Sequence, residues 1–115
     1  MIDFACKRFD LNEIIKCSLG LTKADYKLMN HLLKNEEEWT TTTQLAKELK
    51  LNLSTIQRCV KTLHEKQILN RAQENLTGGG YTYTYQIKNK KELTKKIKEI
   101  VNNWVKTVDH ALEKW

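Results

Sequence analysis

Residues 54 to 61 carry Ser54, Thr55, Gln57, Arg58 and Lys61: two hydroxyls, an amide and two cations within eight residues. Side chains of these types exchange hydrogen bonds with base edges in a DNA groove and hold phosphate oxygens. At ~100° per residue, Ser54, Gln57, Arg58 and Lys61 fall on one side of a helix with Thr55 at its margin, while Ile56, Cys59, Val60 and Leu63 share the other. Any amphipathic helix has a polar outer face, so the reading depends on what holds this one.

The element just before it is a second short helix. Thr41, followed three residues later by Gln44, is a capping-box pattern that predicts a helix start near Thr42. Leu45, Ala46 and Leu49 then make one apolar stripe, with Lys47, Glu48 and Lys50 toward water. Lys50-Leu51-Asn52 breaks the chain, and Asn52 is a candidate cap for a helix from Leu53 to Lys66. Residues 41–66 are thus a helix-turn-helix pattern. Thr41, Thr42 and Thr43 stand at the start of its supporting helix.

Upstream, Asp10 can cap a helix LNEIIKCSL over residues 10–19, with Leu11, Ile14, Ile15 and Leu19 inward and Gly20 at its end. Thr22 caps KADYKLMNHLLK, where Ala24, Leu28, Met29, Leu32 and Leu33 repeat at helical spacing. The acidic run Glu36 to Glu38 reads as a solvated loop, and Trp39 as a residue that closes the core or begins a strand. Downstream the period changes to two. Residues 68–76 and 81–87 flank Thr77-Gly78-Gly79-Gly80, a turn able to take positive φ, so residues 67–88 predict a β-hairpin. Tyr81, Tyr83, Tyr85 and Ile87 share its buried face or rim, and Thr82, Thr84 and Gln86 look outward. Tyrosines on a strand usually pack; stacking on single-stranded bases is the other use of this pattern.

Asn89 and Glu92 open a last helix over residues 90–115. Its apolar positions, including Leu93, Ile97, Ile100, Val101, Trp104, Val105, Val108, Leu112 and Trp115, recur every three or four residues. At ~1.5 Å per residue it is ~37 Å long, more than a domain of this size can cover. Pairing with a second copy, aided by Leu11 and Ile15 of the first helix, is the economical solution. A membrane-surface helix is the competitor, disfavoured because Glu92, Glu99, Asp109 and Glu113 dilute the lysines.

The totals agree with an anionic partner. The chain of 115 residues has a formal net charge of +6 and a pI near 9.2. Residues 41–66 hold five Lys/Arg against two Asp/Glu, and residues 89–115 seven against four. No apolar run approaches the ~20 residues of a membrane span, and Cys6, Cys17 and Cys59 fit reduced thiols, so a cytoplasmic location is expected. Cys17 and Cys59 lie on apolar helix faces as small core residues; Cys6, beside Lys7 and Arg8, is the candidate for redox sensing. His31, His64 and His110 stand at no metal-ligand spacing with the cysteines. No phosphate loop or nucleophile elbow is present, so no enzyme, metal or cofactor is expected.

Helix, helix, turn, helix, then a glycine-tipped hairpin is the winged-helix order. LTKADYKLMNHLL, TTTQLAKELKLNLSTIQRCVKTLHEKQIL and RAQENLTGGGYTYTYQI resemble the first core helix, helix-turn-helix and wing of small archaeal MarR/TrmB-like transcription regulators. The likeness spans residues 19–88. It implies a homodimer on double-stranded DNA, with Ser54, Thr55, Gln57, Arg58 and Lys61 as recognition-helix contacts, Thr41, Thr42 and Thr43 near phosphates, and Arg71 as a wing contact. Ile97, Ile100, Val101, Trp104, Val108, Leu112 and Trp115, with Leu11 and Ile15, would form the dimer seam. Gln67 stands where such sequences usually have glycine, which predicts a differently built turn into the wing. Gln73, Glu74 and Asn75 give the wing little positive charge.

The expectation is therefore a mainly α, α+β winged helix-turn-helix: one domain over residues 1–115 with a helical core, a two-stranded wing and a long C-terminal dimerisation helix. Its expected role is sequence-specific DNA binding in transcription regulation, with any small-molecule effector unspecified. The alternative from another class is a winged-helix module that docks a protein and no DNA.

Overall fold

Three helices begin on a side-chain oxygen that accepts an otherwise orphan backbone amide. Asp10 Oδ1 accepts from the Glu13 amide at 2.8 Å, Thr22 Oγ1 from that of Asp25 at 3.1 Å, and Thr41 Oγ1 from that of Gln44 at 3.2 Å. In the computed structural model, which describes residues 2–115, these caps open α1 (Leu11–Leu19), α2 (Lys23–Leu33) and α3 (Thr42–Leu49). Helices α4 (Leu53–Glu65) and α5 (Lys90–Glu113) follow. An antiparallel hairpin of β1 (Ile2–Asp3) and β2 (Arg8–Phe9) precedes α1, and a second, β3 (Leu69–Asn75) with β4 (Tyr81–Ile87), joins α4 to α5. The architecture is mainly helical α+β in winged-helix order, with a long last helix.

The chain forms two compact units, Thr22–Lys90 and the residues up to Leu21 together with Lys91–Trp115. In the first, one core is shared by Leu28 and Leu32 of α2, Leu45 of α3, Ile56 and Leu63 of α4, and Ile68, Tyr85 and Ile87 around the hairpin, all buried. Each such aliphatic side chain contributes about 1.5–3 kcal/mol relative to exposure. Asp25, buried among them, completes a capping box by accepting from the Thr22 amide at 3.0 Å. Thr40 adds a one-residue bridge to β4, its amide donating to Tyr85 O at 2.9 Å and its carbonyl oxygen accepting from the Tyr85 amide at 2.8 Å.

Several expectations are corrected here. Gln44 does not reach back to its cap; its side-chain amide donates forward to Glu48 Oε1 at 3.2 Å. Asn52 stands at the N-cap of α4 with extended backbone but makes no side-chain cap bond. Trp39 stays 44 % exposed, because the pairing to the sheet falls on its neighbour Thr40. The acidic run is also more than a solvated loop. Glu37 O accepts from Gln86 Nε2 at 3.1 Å, and Glu36 Oε1 from the Lys90 amide at 3.3 Å, so this loop braces the base of the wing. Gln67 adopts φ +62°, the left-handed conformation for which glycine is the usual choice. The turn is thus built as with glycine, by a residue that bears the strain of a side chain.

In the second unit, Phe4 meets Phe9 edge-on at 5.9 Å and Trp104 at 6.2 Å between ring centroids. This N-terminal hairpin was not foreseen, since strands of two residues leave no readable alternation. Phe4, Phe9, Ile14, Cys17, Ile100 and Trp104 line an open apolar trough of about 430 Å³. Cys17 is accordingly exposed rather than a core residue, and Leu11, the first residue of α1, is 61 % exposed rather than inward. Ile15, Ile97 and Ile100 are half-buried, whereas every residue from 101 to 115 is exposed. Among the described residues, no helix is long and apolar enough to cross a membrane.

Candidate nucleic-acid interface

Helix α4 divides its faces as its residue spacing dictates. Ile56, Cys59, Val60 and Leu63 are at most 3 % exposed, while Ser54, Gln57, Arg58 and Lys61 are exposed and Thr55 is half-buried. The cationic and hydrogen-bonding side is therefore open to a ligand along the length of the helix. On its buried side, burial, and after it the interaction with Asp25, pushes the Cys59 thiol up to about 11.

The supporting helix is tied down separately. His31 Nε2 of α2 lies 2.9 Å from Glu48 Oε2 of α3. That hydrogen bond, aided by the one from Gln44, holds the Glu48 carboxyl below its ordinary value of 4.5 against a smaller effect of burial. Between α3 and α4 the chain turns through Lys50 at φ +55°. With Gln67, Lys50 brackets α4 between two left-handed joints.

A groove of about 550 Å³ separates α4 from the wing. It brings together four of the residues singled out in the sequence: Thr42, Gln57, Lys61 and Arg71. Thr41 is half-buried at the α3 cap, and Thr43, Ser54 and Arg58 lie exposed outside the groove lining. Arg71 pairs with Tyr85 in register, which puts it on the tyrosine side of the hairpin. Its guanidinium carbon sits 4.4 Å from the centroid of Tyr83, and such a cation–π contact restricts the side chain.

Sequence reasoning missed His64, Tyr81 and Tyr83 as groove residues. The signal for His64 was its position one turn beyond Lys61 on the same helix face. For the tyrosines the pattern gave the right side of the strand but not where along it burial ends. Tyr85 is 8 % exposed and Tyr81 is 55 % exposed. Tyr81 and Tyr83 meet edge to face at 5.3 Å, and the interaction with the Tyr83 phenol pushes the Tyr81 phenol above its ordinary 10. Among the described residues, no three His, Cys, Asp or Glu side chains are grouped to hold a metal ion.

Helix-turn-helix, bridged hairpin and an open polar α4 define a winged-helix protein. Residues 9–108 match the DnaD N-terminal domain family, and the chain belongs to that family. A solved structure from Methanosarcina mazei Go1, described as a possible transcriptional regulator, is 49% identical with a TM-score of 0.94, covering 100% of this chain and 96% of that one. The ST1889 protein of the thermoacidophilic archaeon Sulfolobus tokodaii shares the fold at 24% identity, with a TM-score of 0.68 over 87% of this chain and 92% of that one. The uncharacterized protein MJ1503 of Methanocaldococcus jannaschii is 27% identical over 110 residues, 96% of this chain and 79% of its own length. The winged-helix order expected from the sequence is thus present, within the DnaD N-terminal domain family.

Proposed function

We propose that the protein is a cytoplasmic, homodimeric transcription regulator that binds double-stranded DNA sequence-specifically, in the manner of MarR- and TrmB-like regulators and without enzymatic activity. The observation that carries this reading is the two-faced α4, anchored by Ile56, Cys59, Val60 and Leu63 and open at Ser54, Gln57, Arg58 and Lys61. In a major groove, the Gln57 amide can donate to and accept from an adenine edge, and the Arg58 guanidinium can donate to a guanine edge. Lys61, Arg71 and the threonines at the α3 cap serve phosphates. The description of the Methanosarcina mazei relative as a possible transcriptional regulator supports the same role.

Dimerisation is assigned to the exposed stripe of α5, where Trp104 is 55 %, Val108 38 % and Leu112 58 % exposed. At ~1.5 Å per residue the helix spans ~36 Å, and so long an apolar edge calls for a partner. The same stripe, with the uncharged or acidic Gln73, Glu74 and Asn75 of β3, is what favours the second reading, a protein-docking module that leaves DNA alone.

Titration of random and genome-selected duplexes at several salt concentrations separates the two. The DNA reading expects retardation that weakens as salt rises. It also expects Arg58→Ala to lower specific affinity by about 1–3 kcal/mol and relax preference at one or two base pairs. No retardation at low salt would leave the docking module.

A further inference from the structure

The groove between α4 and the wing contains groups that a fully paired duplex would leave idle. A backbone phosphate needs Lys61 and Arg71. It has no use for Tyr81, whose ring stands at the rim of the groove, 55 % exposed. Tyr85, on the same face of the same strand, does what a packing tyrosine does and is buried. Tyr81 is nonetheless held in place, edge to face with Tyr83 at 5.3 Å. Tyr83 in turn carries the Arg71 guanidinium at 4.4 Å.

An ordered aromatic ring beside a fixed cation is the pair of groups that recognises a nucleotide, the ring stacking on the base and the cation taking the phosphate. The groove is large enough, at about 550 Å³, within the range of cavities that hold small organic ligands. Gln57 and Glu65 in its lining can exchange hydrogen bonds with base edges, the amide with either donors or acceptors and the carboxylate with an amino group. A base stacked inside paired DNA cannot lie on a side-chain ring; an unpaired one can.

We propose that this groove is a subsite for one unpaired nucleotide, its base stacked on Tyr81 and its phosphate held by Arg71 and Lys61. The nucleotide comes from a single-stranded end or an extruded position of a DNA whose paired part lies on α4. The subsite rests on the reading of α4 as the DNA-contacting helix, and the experiment separates the two.

Fluorescence anisotropy of the whole protein with labelled probes tests it, comparing a blunt duplex with the same duplex bearing a short thymidine extension. The extension is expected to tighten binding roughly 5- to 10-fold, the scale of one base–aromatic stack. Tyr81→Ala should abolish that gain while leaving blunt-duplex affinity within about twofold, and Tyr81→Trp should restore it. Arg58→Ala should weaken both probes by the same factor and leave the gain intact. Equal affinity for the two probes, or equal loss from both in Tyr81→Ala, overturns the subsite and spares the reading of α4. Failure to bind either duplex overturns the reading of α4 and the subsite with it. Thymidine 5′-monophosphate is the third arm: displacement of the extended probe down to blunt-duplex affinity at micromolar competitor would assign the groove to a free nucleotide and overturn the strand origin.

Discussion

Helices α4 and α5 carry the same signature, an apolar residue every third or fourth position, and meet opposite fates. In α4 the stripe disappears into the core, with Ile56 and Leu63 at 0 % exposure. In α5, Val101, Trp104, Val105, Val108 and Leu112 remain between 37 % and 58 % exposed. Periodicity states that a stripe must be covered and says nothing of which molecule covers it. For α4 the cover is the rest of residues 22–90; for α5 beyond residue 100 the N-terminal hairpin reaches it, Phe4 against Trp104 at 6.2 Å, and leaves the stripe exposed.

Truncation makes the contrast measurable. Leu63→Ala should lower the unfolding free energy by about 2–5 kcal/mol, the cost of a cavity in a closed core, read by urea denaturation. A loss below about 1 kcal/mol would mean the α4 stripe is not the anchor it is taken to be. The counterpart in α5 is Val108→Glu combined with Leu112→Glu. It should leave helix content unchanged by circular dichroism while raising the dimer dissociation constant at least ~10-fold by sedimentation, as losing an interface anchor does. A wild-type chain that sediments as a monomer at every concentration removes the homodimer.

Two smaller changes sharpen what holds α4 in place. Lys50→Gly relieves a left-handed lysine and should stabilise the fold by about 0.5–1 kcal/mol, seen as a higher denaturation midpoint; a lower midpoint would show that the lysine side chain matters more than its backbone. Glu48→Gln should cost less than about 1 kcal/mol at neutral pH, as expected for a partly exposed pair. The sign with pH follows from the lowered Glu48 value: its contribution is complete above the ordinary 4.5 and is lost as pH falls through the folded value. Wild type and Glu48→Gln should therefore converge in strongly acidic solution, and a gap that persists there would refute the linkage.

Much of this was legible before the structure. Asp10, Thr22 and Thr41 marked their helix starts, and the change from period 3.6 to period 2 after Lys66 located the wing, because both signals are local. What escaped was set by partners distant in sequence. Asp25 reads as an ordinary first-turn acid, yet it is buried as acceptor for the Thr22 amide and raises the Cys59 thiol of α4. Gln86 and Lys90 find the acidic loop 49 and 54 residues away. Gln67 takes a glycine's conformation that its side chain argues against. At the groove, the residue types on α4 were readable, whereas Tyr81, Tyr83 and His64 joined them only through the hairpin's position against that helix.

The three cysteines now divide by chemistry as well as by place. Cys59 is buried with its thiol raised to about 11, so at neutral pH it offers almost no thiolate to an electrophile. Cys6 and Cys17 are exposed. A maleimide dye should settle on those two alone, hanging a spectroscopic label on the N-terminal segment while α4 stays unmarked.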